Sequence, residues 1–419
     1  NKLFSTGGGN YSFFFNNNRR TTTSRFNQLN PVYSASLGVT FTQPLLRDRS
    51  IDRNRREIRI QSKRLEQSDA DFRRRTMDVI SQVQRAYWEL VFALRDQQNR
   101  IANLNLARER FRQTEARVGA GAAAPLERAE VQTELANRES DLLIATQNVS
   151  IAENNLKALI IRDPLSPDWS AQLTPTDSPS FDATPVNLND AMQEALANRP
   201  EIRRLRIQRD INDIDLKFFK NQTLPRIDIQ STVATTGLSG APVVTNDPLT
   251  GQPIPSTVPE NLVGGYGRML RNLFNLETRN IVAGVAIQIP FKNKTAEAQL
   301  AGARIERAQL DALTRQQEQG VEVEVRNAAQ AVETARRRVL AARAARENAE
   351  LQLAGEQRLY QVGRSTTFLL FQRENALANA RNLELRAEID YNQALADLQR
   401  STSTTLRANN VIVETPTAP

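Results

Sequence analysis

Three glutamates make the strongest case for ion-binding or acid–base chemistry: Glu127, Glu130 and Glu374, each a few helical turns from a Val-Gly chain reversal. Repeated around a pore, such carboxylates attract cations or tune opening. Tyr360, just before the second reversal, adds a phenol able to hydrogen-bond. Nothing accompanies them that would make an enzyme. The chain has no histidine and no cysteine, so it lacks the commonest general base, the thiol nucleophile and the usual transition-metal ligands. Gly7-Gly8-Gly9 is not a phosphate loop, because no Lys-Ser/Thr comes after it at the required spacing. Glutamates abound beside arginines, a pattern that ion pairing explains better than proton transfer. No catalytic residue, no metal set and no cofactor is expected. The lack of histidine, with only three methionines, also speaks against a dedicated copper or silver site.

The net charge is +8, from 55 basic and 47 acidic residues. Nucleic-acid binding needs basic residues segregated on one face. Here Arg53-Asn54-Arg55-Arg56, Arg73-Arg74-Arg75 and Arg336-Arg337-Arg338 are interleaved with acids and read as solvated helix faces. Mean hydropathy is −0.50. No stretch reaches the roughly 18 to 20 unbroken apolar residues of a membrane-spanning helix, whereas a β-strand crosses in about 9 to 11.

The elements that would position these residues are legible in the texture of the chain. Tyr11 to Phe15 is an aromatic run, with Asn16 to Thr23 reading as polar and turn-rich. Tyr33 to Thr42 roughly alternates, as a two-faced strand does, and Pro44 ends it. Leu46 to Val118 has no proline or glycine and predicts a helix of about 70 residues, roughly 105 Å long. That length implies a coiled-coil-like assembly. Val118-Gly119-Ala120-Gly121 breaks it, and Pro125 opens a helix to about Ile161. Residues 163–186 form an irregular connector, succeeded by a third helix from Asn187 or Asn189 to about Thr223. Arg226 to Val233 and Asn280 to Pro290 are strands flanking an extended loop over Gly237 to Gly267. A helix from about Lys294 to Tyr360, a break at Val362-Gly363 and a helix from about Thr366 to Thr404 complete the chain.

The order strand, loop, strand, proline, long helix, Val-Gly break and returning helix thus occurs twice. Pro44 stands about 75 positions before Gly119, and Pro290 about 73 before Gly363. Without a gap, Leu126 and Glu130 align with Leu370 and Glu374. The helices over Pro125–Ile161 and Asn187–Thr223 are each about half the long ones, so together they match one.

This arrangement resembles the TolC family of outer-membrane efflux proteins. The resemblance rests on the element order, the paired Val-Gly breaks, Leu224-Pro-Arg-Ile-Asp-Ile229, and the run from Leu188 to Ile202 with its Asn-Arg-Pro-Glu. It implies a mainly α chain with a β-barrel portion: a homotrimer closing a twelve-stranded barrel in outer-membrane lipid, continued by a twelve-helix tunnel through the periplasm. The chain would divide into a first strand pair (1–45), a first helical hairpin (46–162), an equatorial connector (163–186) and a returning helix (187–224). A second strand pair with its external loop (225–291), a second hairpin (292–405) and an equatorial tail (406–419) would complete it. The implied function is an exit duct, passively carrying drugs, small toxic molecules or polypeptides, that meets a periplasmic adaptor and an inner-membrane transporter.

Val118, Gly119, Leu126, Val362, Gly363 and Leu370 are expected at the adaptor-contacting tip, and Glu127, Glu130, Tyr360 and Glu374 at a tunnel constriction, Tyr360 by the family's hydrogen-bonded closure. Many members narrow the tunnel with aspartates just past the second Val-Gly. Phe368-Leu369-Leu370-Phe371-Gln372 holds none, so no aspartate gate carries over. The helix over 187–223 lacks the repeat mate that the family places first, so the natural precursor is expected to carry about 40 further helical residues and a secretion signal. The competing expectation is a soluble coiled-coil scaffold or tether, which has no use for strand pairs with aromatic-bearing faces.

Overall fold

The computed structural model describes residues 2–3, 7–24, 27–244, 249, 251–254 and 257–414. Parts of the expected first strand pair, external loop and tail (residues 415–419) lie outside them. The elements are β1 (Lys2–Leu3), β2 (Asn10–Arg20), β3 (Leu29–Pro44), α1 (Arg53–Gly119) and α2 (Pro125–Ile160). They continue with α3 (Leu188–Asn198), α4 (Pro200–Gln222), β4 (Arg226–Pro242), α5 (Tyr266–Phe274) and β5 (Arg279–Gln288). Then come α6 (Lys294–Gln361), α7 (Thr367–Ser401) and α8 (Thr405–Ala408). They fall into two compact units: Asn1–Glu66 with Ile207–Asp311, and Gln67–Arg206 with Ala312–Pro419.

The first unit is built on one antiparallel sheet in the order β1-β2-β3-β4-β5. The two expected strand pairs are joined through β3 and β4, with Leu37 opposite Thr235 and Val39 opposite Val233. β2 continues to Arg20, so Asn16 to Arg20 are strand rather than turn; full pairing with Val32 to Ser36 overrides their weak β-propensity. Alternation sorts the faces. One carries Phe13, Phe15, Val39, Phe41, Ile229, Val233, Ile281, Val285 and Ile287; the other carries Ser12, Asn16, Ser34, Ser36, Thr40, Gln230 and Thr232. Phe13, Ile281, Val285 and Ile287 are exposed on the apolar face.

Helix α1 starts at Arg53, later than the expected Leu46. Residues 45–52 make a turn instead, in which Asp48 has φ 67° and its N–H donates to Asn221 Oδ1 at 2.7 Å. Asp52 then caps the helix, its Oδ1 accepting from the N–H groups of Asn54 and Arg55. Within this unit Ile60, Ile207 and Ile211 form a buried cluster.

β4 runs on to Pro242, so Gly237 to Pro242 are strand rather than loop, and a helix, α5, starts at the far end of the expected loop and fills the stretch before β5. α5 lies on the apolar sheet face, with Met269 and Leu273 fully buried against Ala35. Gly237 permits this: a Cβ there would stand 2.3 Å from the Met269 carbonyl oxygen. Thr235 Oγ1 donates to the Leu273 carbonyl at 3.1 Å, and Asn272 Nδ2 to those of Leu238 and Asn261.

The second unit is helical. Ala329, Val332, Ala335 and Val339 of α6 form a buried cluster with Ala387, Tyr391 and Leu398 of α7. Phe181 of the connector seals this core, 5.4 Å from the Tyr391 ring. Ala195, Ile202, Val321 and Val325 form a second cluster. The single helix expected over 187–223 is two, because Pro200 has no N–H to offer and holds Arg199 extended (ψ 122°). Arg199 is nonetheless buried and paired with Glu201 and Glu324. The last expected helix is α7, and the short α8 follows it, mostly within the expected tail. Between helices the arginines meet acids: Arg100 with Asp141 at 2.8 Å, Arg386 with Glu89 at 2.9 Å, Arg346 with Glu384 at 2.5 Å.

Candidate functional site

The two helical reversals share one geometry. In the first, the Gly121 N–H donates to the Val118 carbonyl at 3.0 Å and the Ala122 N–H to that of Arg117 at 2.8 Å. In the second, the Gly363 N–H donates to the Tyr360 carbonyl at 3.1 Å and the Arg364 N–H to that of Leu359 at 2.8 Å. This paired closure needs a left-handed residue after the helix, and Gly121 (φ 70°) and Gly363 (φ 72°) supply it. The equivalent of Gly363 is therefore Gly121, not Gly119, which ends α1 with open space where a side chain would stand. The shift changes the register of the two returning helices. Pro125 and Thr367 both open their helices, so Leu126 matches Phe368, and Glu130 matches Gln372.

That register corrects one expected contact residue. Leu370 is 1% exposed and packs inside the unit, whereas Leu126 is 69% and Phe368 68% exposed. Val362 is also exposed, and Val118 is half-buried. Phe368 and Phe371 of α7 line, with Glu130 and Glu134 of α2, a groove of about 660 Å³ between the two returning helices.

The four residues expected at a constriction divide in two. Tyr360 Oη accepts from Arg117 Nη1 at 2.8 Å and lies 3.5 Å from Thr367 Oγ1, so one phenol joins α1, α6 and α7. Glu374 is met within the chain by Arg110 at 2.5 Å, both side chains largely buried, with Glu134 and Arg138 of α2 close by. Burial pushes the Glu374 carboxyl above the ordinary glutamate range, and Arg110 pulls it partly back. Glu127 is half-buried in the first turn of α2, and Glu130 is exposed in the groove.

Both the Arg117–Tyr360 and Arg110–Glu374 contacts tie the α1–α2 hairpin to the α6–α7 hairpin. Asn99 with Asn382 (3.2 Å) and Glu89 with Arg386 (2.9 Å) continue the seam along α1 and α7. Sequence reading found Tyr360 and Glu374 but not Arg110, Arg117, Gly121 or Phe368. The arginines lie more than 240 positions from their partners in sequence, and no local signal joins them.

The geometry holds two hairpins together and leaves apolar side chains exposed beside both reversals. The chain matches the protein family described as outer membrane efflux protein over residues 10–160 and 191–404, one stretch for each half of the repeat. Among curated protein sequences none matches it. Its fold is similar to the outer membrane protein VceC of Vibrio cholerae: TM-score 0.66, 16% identity, 94% of this chain and 87% of that one. It is also similar to the open state of the MtrE outer membrane channel of Neisseria gonorrhoeae: TM-score 0.65, 18% identity, 94% and 80% covered. The CmeC outer membrane channel of Campylobacter jejuni is matched with TM-score 0.63, at 15% identity over 96% and 80%.

Proposed function

The chain belongs to the outer membrane efflux protein family, and from that premise we propose that it is the exit duct of a tripartite efflux or type I secretion assembly. It is an outer-membrane channel protein that extends into the periplasm. In our reading it conducts drugs, small toxic molecules or polypeptides passively, driven by an inner-membrane transporter that a periplasmic adaptor couples to the helical tip.

The observation that carries the reading is the tip itself: two matched reversals that each expose an apolar residue, Leu126 and Phe368, beside a groove between the returning helices. A solvated turn has no use for such residues, whereas a hairpin docking there does. Three copies are needed because four long strands cannot close a barrel, and twelve can. β5, exposed along its whole length, is left as an edge to be paired. The hairpin seam through Tyr360 and Glu374 is then the closed state of the duct, and Glu127 and Glu130 are carboxylates placed near its mouth.

The test is export of an intercalating dye from cells lacking the gene and complemented with Leu126→Asp/Phe368→Asp. Dye export should fall to the level of the deletion strain, while the protein remains a trimer in the outer-membrane fraction. Full export by the double variant would refute tip docking. A monodisperse monomer in detergent would refute the trimeric duct.

A further inference from the structure

The apolar sheet face has a boundary, and α5 marks it. The helices leave the sheet from the end at Pro44, Arg226 and Gln288, so the opposite end faces outward. From Tyr11 to Phe15 the β2 residues on this face are aromatic; then come Asn17 and Arg19, opposite Ala35 and Tyr33. Ala35 and Tyr33 in turn stand opposite Gly237 and Ser239, the positions that α5 overlies. The lipid-facing band of the barrel thus ends at the level where α5 begins.

α5 is built to lie at that level. Its Met269 and Leu273 face the sheet, which turns Arg271 outward and Arg268 to one flank. Tyr266, at its start, accepts a hydrogen bond from Asn17 Nδ2 at 2.8 Å and stacks edge-on with Tyr33, over which the Arg19 guanidinium sits 5.8 Å away. Arg19 thus lies on the Tyr266 flank of α5, Arg271 points outward and Arg268 lies on the other flank, so three guanidiniums surround this lipid-side helix. In the helical unit most arginines are ion-paired. Among the described residues no ion pair is formed by these three, and no acid lies within α5.

We infer that α5 with Arg19 is a binding platform for the phosphate groups of an anionic glycolipid in the outer leaflet of the outer membrane. Guanidinium forks match phosphate oxygens with two parallel hydrogen bonds, and the ring of Tyr266 and the exposed Phe274 suit the junction of head group and acyl chain. The inference goes beyond the export reading and rests only on the outer-membrane location.

The test uses the full-length chain, purified and delipidated in detergent, with native mass spectrometry of bound lipid. The probes are bisphosphorylated lipid A, monophosphorylated lipid A and phosphatidylethanolamine. Wild type should retain bisphosphorylated lipid A about tenfold better than the monophosphorylated form. Arg268→Gln/Arg271→Gln should lose that preference, and Arg268→Lys/Arg271→Lys should keep part of it. Arg20→Gln, on the opposite sheet face, should bind as wild type. Unchanged hydrogen-exchange protection of Met269 and Leu273 separates a lost contact from a lost helix. Equal binding of the two lipid A forms by wild type would overturn the inference, as would equal losses in the α5 and Arg20 variants.

Discussion

Arg110→Met deletes the guanidinium that meets Glu374 while keeping an aliphatic stem. The pair joins α1 to α7 at 2.5 Å, and its side chains are 17% and 11% exposed. Stranding one partner of a fully buried pair costs about 3–5 kcal/mol and of an exposed pair under about 1 kcal/mol. At this burial a loss of about 2–3 kcal/mol is expected near pH 8. A chain of 419 residues unfolds with an entropy of about 0.9 kcal/mol/K, from about 2.1 cal/mol/K per residue, so the melting temperature should fall by about 2–3 °C. The sign with pH is set by the carboxyl. Burial holds it above the ordinary glutamate range, so the folded chain binds that proton more tightly than the unfolded one. The stability from that difference is full below the ordinary range and lost as pH rises through the raised value. Without Arg110 the value rises further, so the penalty grows with pH and is smaller at pH 5 than at pH 8, because protonation removes the need for a counter-ion. Thermal melts of the detergent-solubilised protein by circular dichroism at both pH values are the assay. Adding Glu374→Gln should restore most of the loss at pH 8. Arg112→Ala, whose side chain is 78% exposed in a 3.9 Å pair, should do little. A pH-independent loss with no rescue would refute the reasoning.

Two further outcomes concern glycines. Gly119→Ala should be neutral or stabilise by about 0.5–1 kcal/mol, since it ends a helix in open space, whereas Gly121→Val or Gly363→Val should cost about 1–2 kcal/mol at a left-handed position; melting curves that rank Gly119 as the sensitive site would reverse the repeat register. Gly237→Val should dislodge α5, because its Cβ would meet backbone, and forfeit about 1.5–3 kcal/mol of burial at each of Met269 and Leu273. Hydrogen exchange over residues 266–274 should then quicken by more than about a hundredfold, and unchanged protection would show that α5 is held some other way.

Much of this protein was legible without coordinates because it is written in local chemistry. Proline-free stretches of helix formers make α1 and α6, Pro44 and Pro225 mark where backbone donors stop, and strict alternation makes two-faced strands. The repeat made the order of elements, and hence the family, readable. Boundaries failed where a distant residue decides them: the turn before α1 is held by Asn221, and α5 forms only because Gly237 lets it sit on the sheet. The first reversal was misread by two positions, because Gly119 and Gly121 look equivalent in sequence and only backbone hydrogen bonding selects the left-handed one. The pairing of β3 with β4, and of Arg110 with Glu374 and Arg117 with Tyr360, joins the two halves of the repeat. Such contacts are set by how faces pack after the elements exist, and periodicity along the chain carries no record of which face meets which.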